Sequence, residues 1–133
     1  PEMDPLWWPE LSWSEHMLFL HACDLFDHRF AWEAHEVWEE IWHAVPREHP
    51  DRARLQLLIQ AAACCLKVHA QSLGPARSLL ARCRARAPLY VDRVVDSSRL
   101  LIGLQAFSEG GSWPVLWGLE GARGVADGPS EGI

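Results

Sequence analysis

Phe30-Ala-Trp-Glu-Ala-His-Glu-Val-Trp-Glu-Glu-Ile-Trp-His43 sets four carboxylates, two imidazoles and three indoles in fourteen consecutive positions. No residue in it breaks a helix, and its apolar residues recur with helical period. At about 100° per residue, Phe30, Ala34, Val37, Trp38, Ile41 and Val45 share one stripe. His35, Glu39 and Trp42 follow each other along the flank of that stripe, and Glu36 and His43 lie farther round. The stripe needs an apolar partner, whereas the flank is where any chemistry would sit.

The partner is legible downstream. Pro50-Asp51 opens a helix expected to continue to about Ser72, where Gly74 supplies a stop and Pro75 the first turn of the next helix. Along it, Leu55, Leu58, Ile59, Ala62, Leu66 and His69 make one stripe. Leu57, Ala61, Cys65 and Val68 make the other side apolar too, so this helix is expected at the centre of the fold. Its remaining polar strip is Gln56, Gln60 and Lys67, which fall within about 40° of each other on a 3.6-residue helix. Buried amides and ammonium groups need partners. The strip is therefore expected to face the His35/Glu39 flank and to hydrogen-bond with it.

The other elements follow from local signals. Ser12-Trp-Ser-Glu15 has the form of a capping box and predicts a first helix from about residue 13 to Asp27. The second helix runs from about Phe30 to Ala44 and stops before Pro46. A fourth reaches about Ala87 before Pro88, Leu89 to Val95 reads as extended, and Asp96 can cap a fifth helix carrying Leu100, Leu101, Leu104 and Phe107. From Gly110 onward the composition shifts, with seven of the nine glycines in the last 24 residues. The expected organisation is an all-α, single-domain bundle of about five helices over residues 1–109, followed by a flexible tail over 110–133. Within that tail, Trp113 to Leu119 forms an apolar hook able to dock on the body as a single turn.

A chain of 133 residues can bury roughly two thirds of its unfolded surface in one core. Cys23, Cys64, Cys65 and Cys83 show no CxxC spacing and read as reduced thiols, three of them within apolar helical patterns. The segment beginning at Pro1 has neither the basic nor the apolar region of a signal peptide. No apolar run approaches the twenty or so residues needed to span a membrane. The expected compartment is the cytoplasm, with no membrane partner. A net charge of −6 repels a phosphate backbone. Arg77, Arg82, Arg84 and Arg86 form a local basic patch on or beside the fourth helix, but no nucleic-acid-binding motif accompanies them. Nucleic acid is not an expected partner.

Two motifs in order carry a resemblance. Phe30-x-Trp-Glu-Ala-His-Glu-x-x-Glu-x-x-Trp42, followed by Leu55-Gln-x-Leu-Ile-Gln-Ala-Ala62, resembles the domain of unknown function 309, a family of small all-helical bacterial and archaeal proteins. The resemblance extends over about residues 26 to 104. It maps the family pattern onto His35, Glu36, Glu39, Trp42, Gln56 and Gln60, with Trp38 standing where Leu is more usual. It implies a helical fold and no activity.

The site residues allow several chemistries. His35-Glu36-x-x-Glu39 lacks the second histidine of a zincin. Glu40-Ile-Trp-His43 is the chain's one Glu-x-x-His motif, whereas a di-iron bundle needs two. A mononuclear site from His35 and Glu39, with a third ligand from His16, His21, His28 or His69, stays open. Cys64 and Cys65 sit in apolar company that makes a thiol inert. The expected function is a non-enzymatic binding or self-association module, its polar site comprising His35, Glu36, Glu39, Trp42, Gln56, Gln60 and Lys67. No cofactor is expected, and a small-molecule ligand is compatible with the site. Trp7, Trp8 and Trp13 favour an interface, so a homodimer is expected. The alternative is a metal-dependent, hydrolase-like enzyme with His35 and Glu39 as ligands and Glu36 as general base.

Overall fold

The computed structural model describes residues 16–86 and 95–116. Among them run five helices: α1 (Met17–Asp27), α2 (Ala31–Ala44), α3 (Asp51–His69), α4 (Leu73–Arg86) and α5 (Ser97–Ser108). The architecture is all-α. Helix α3 packs against α2, α4 and α5, and α1 closes over α2. Leu55, Leu57, Leu58, Ala61, Ala62, Cys64 and Cys65 of α3 are wholly buried, as a helix apolar on both sides requires. None of the helices is long and apolar enough to cross a membrane.

The helix ends show where local signals were sufficient and where they were not. Asp96 caps α5, its carboxylate accepting the Arg99 N–H at 3.1 Å. Helix α1 starts at Met17, later than the capping-box reading, and its cap is His16, whose Nδ1 accepts the Phe19 N–H at 3.2 Å. Ser12 to Glu15 lie outside the described residues, as does the stretch 87–94 that includes most of the segment read as extended. Helix α3 ends at His69 rather than near Ser72. Gln71 takes the left-handed conformation (φ 62°) there, while its N–H and that of Ser72 donate to the carbonyls of Val68 and Lys67. Arg29 (φ 72°) ends α1 by the same paired bonds to Phe26 and Leu25, the latter from Phe30. Gly74 therefore ends nothing; it and Pro75 sit in the first turn of α4.

On α2, Ala34, Trp38 and Ile41 are buried and Val37 is partly so, and Val45, just past its end, is buried too. Phe30 departs from the expected stripe. It caps the start of α2 with its N–H tied back to Leu25, so it leaves the helical register and stands 53% exposed.

Residues 111–116 run without helical structure along the body. Trp113 donates its indole N–H to the Phe26 carbonyl at 2.8 Å and packs on the rings of Phe26 and Phe107. Leu116 is wholly buried, and its carbonyl accepts the Asp96 N–H at 3.0 Å. Gly103, in the middle of α5, makes this approach possible, because a Cβ there would lie 3.0 Å from the Pro114 Cα. Gly110 (φ 98°) turns the chain out of α5.

The buried cap makes stability sensitive to pH. Burial lowers the His16 pKa below its ordinary value, and a neutral Nδ1 is what accepts the Phe19 N–H. Because the folded-state pKa is depressed, the unfolded chain takes the proton more readily. This contribution is intact above about pH 6.5 and is lost as pH falls through the folded value. His16→Asn keeps an accepting cap atom without titrating, so it is expected to flatten the decline in thermal melts. An unchanged slope would assign the acid sensitivity to other groups.

Candidate functional site

Helix α2 presents His35, Glu36 and Glu39 on its outer flank. One ligand atom from each lies within 4.8 Å of the other two, the single such group among the described residues. His35 is mostly buried and Glu36 half exposed, with His35 Nδ1 3.7 Å from a Glu36 carboxylate oxygen. That separation is too long for a hydrogen bond. Nδ1 is buried without a hydrogen-bond partner among the described residues. The Trp32 ring lies parallel to the imidazole, with centroids 5.8 Å apart and planes 9° apart, and is itself 57% exposed. Glu36, Val37, Glu39, Glu40 and His43 line an open depression beside them. An acidic and aromatic surface results, suited to holding a cation.

One member of the opposing strip departs from the sequence expectation. Gln56 and Gln60 are half-buried, but Lys67 is exposed, so its ammonium has water and needs no protein partner. Among the described residues, His35 Nδ1 takes no hydrogen bond from the strip. Apolar side chains of both helices are buried where α2 packs on α3, Trp38 and Ile41 on α2 and Leu55, Leu58 and Ala62 on α3 among them.

Glu36 joins the donor cluster although it is adjacent in sequence to His35 and lies a third of the way round the helix from it. It takes the place expected for a histidine from another helix. None of the four candidates enters the group: His16 caps α1, the His28 Nδ1 lies 2.8 Å from the Asp24 carbonyl, and His21 and His69 are exposed.

Trp42 belongs to a different arrangement. The Arg52 guanidinium lies 4.0 Å from its ring centroid and donates to the carbonyls of Trp42 (3.2 Å) and Val45 (3.1 Å). These carbonyls stand at the end of α2, where intrahelical donors have run out and the dipole is negative. Arg52 therefore holds the loop and the helix end together. Sequence reasoning missed it because no spacing rule links residues ten apart across a turn. Trp32 was missed as a site residue for another reason: an aromatic beside a helical stripe reads as core.

The four cysteines are buried thiols outside any disulfide. Burial raises the pKa of Cys64 and Cys65, and the Cys64 thiol is directed at the Ala76 carbonyl at 3.4 Å. Neither is suited to nucleophilic chemistry.

The family model described as Domain of unknown function (DUF309) matches residues 19–79. That span begins within α1 and ends within α4, earlier at both ends than the resemblance read over 26 to 104. No curated protein and no solved structure matches the chain.

Proposed function

Through residues 19–79 the chain belongs to the domain of unknown function 309 family, a description that carries no activity, and we propose from the geometry of α2 that it is a non-enzymatic binding module. Its outer face takes a basic segment of a protein partner. One observation carries this reading: Phe30 and Trp32 stand more than half exposed beside exposed Glu33, Glu36 and Glu40. Large aromatics left in water next to carboxylates are suited to contact. An arginine or lysine there gains both an ion pair and the face of an indole.

A short arginine-rich peptide titrated into the protein by calorimetry tests it. Binding is expected to weaken as salt rises, and to fall about tenfold, or about 1.4 kcal/mol, in a Trp32→Ala, Glu36→Gln double variant whose melting temperature stays close to that of the parent. Equal affinity in the two proteins would remove the reading. Self-association through Trp7, Trp8 or Trp13, which lie outside the described residues, is part of the same proposal. Light scattering on the same samples reads it directly.

A second reading is favoured by the unpartnered His35 Nδ1, a buried polar atom that ordinarily finds a partner. In it, His35, Glu36 and Glu39 hold a divalent cation, and the protein is a metal-dependent, hydrolase-like enzyme. Stoichiometric zinc or manganese binding that is lost in His35→Ala would put this reading first.

A further inference from the structure

We infer that the cleft between α4 and α5 is a second binding site, one that takes a small amphipathic carboxylate. The cleft encloses about 300 Å³ and is lined by Leu73, Ala76, Arg77, Leu80, Arg84, Gln105, Ser108 and Glu109. Its floor is apolar and continuous with the core, since Ala76 and Leu80 are almost wholly buried. Arg77, Leu80 and Arg84 follow at i, i+3 and i+7 on one face of α4, so a leucine lies between two guanidinium groups.

The two arginines are not equivalent. Arg84 donates to the Gln105 side-chain carbonyl, and the Gln105 amide donates to Glu109 at 2.6 Å. This chain of bonds ties the α5 wall to α4 and engages both Arg84 and Glu109. Arg77 has no ion pair or hydrogen bond among the described residues. It is the cation in the cleft left for an incoming anion, and a carboxylate can meet its guanidinium through two parallel bonds.

Size narrows the ligand. A cavity near the lower end of the ligand-site range holds roughly ten heavy atoms at about 30 Å³ each. A medium-chain carboxylate has that size, with its tail on Leu73 and Leu80 and its head on Arg77. The site owes nothing to the α2 face, and neither proposal depends on the other.

Octanoate is the probe, titrated into the full chain while amide resonances of α4 and α5 are followed by NMR. Saturable shifts are expected, with affinity about tenfold weaker for Arg77→Gln and about tenfold weaker for octanol in place of octanoate. Arg82 is exposed on the same helix but does not line the cleft, so Arg82→Gln is expected to leave octanoate binding unchanged. Absence of saturable shifts, equal loss in the Arg77 and Arg82 variants, or equal binding of octanol would each overturn the inference. Equal losses accompanied by oligonucleotide binding would assign the arginines to a diffuse phosphate-binding face.

Discussion

Trp38→Ala is expected to lower the unfolding free energy by about 3–5 kcal/mol, as large-to-small core truncations do. Among the described residues, Trp38 is the largest wholly buried side chain. Its ring meets Phe26 at 5.8 Å and Phe19 at 6.5 Å, both tilted, so it fills the seam where α1 closes over α2. Its indole N–H has no partner among the described residues, so the loss comes from packing and cavity formation and not from a hydrogen bond. Against a stability of about 5–15 kcal/mol for an ordinary domain, the change is large. It corresponds to a melting-temperature fall on the order of 10–20 °C. Trp38→Phe keeps most of the volume and discards the unsatisfied N–H, and should cost clearly less. Denaturant titrations of the three proteins test this; a loss below about 1 kcal/mol for Trp38→Ala would mean that the seam collapses around the void.

Arg52→Ala is expected to cost about 1.5–3 kcal/mol, the range for hydrogen bonds from a charged donor. Two carbonyls at the end of α2 lose their donor, and the Trp42 ring loses the guanidinium lying over it. Arg52→Lys keeps the charge but not the planar fork, so it should recover less than half of the loss. Hydrogen exchange should locate the effect: the Val45 amide, bonded to Ile41 and Trp42, should exchange faster while amides in the middle of α3 follow global stability alone. Uniform acceleration across the chain would place Arg52 in the general fold rather than at the helix end.

The elements themselves were legible because their signals act within a few residues. Pro46 stops α2, Asp96 caps α5, and the two-sided apolar pattern of α3 made it central. Each depends on 3.6-residue geometry or on one side chain reaching its own backbone. Where the same rules failed, a competing local partner had intervened. Phe30 was drawn out of its stripe by its bond to Leu25, and Gln71 took the left-handed turn that glycine was expected to supply at Gly74.

For the site, sequence determined which residues carry chemistry and on which flank of α2 they lie. Tertiary structure decided what they meet. Helical spacing placed His35 and Glu39 together, but the rotamer of Glu36 brought a third donor beside them. The polar strip of α3 was matched to that flank by elimination, whereas the folded chain leaves Lys67 in water. Arg52, Trp32 and the α4–α5 cleft were invisible in one dimension. Long polar side chains choose among partners several ångströms apart, and which partner is within reach depends on helix crossings that no local pattern encodes.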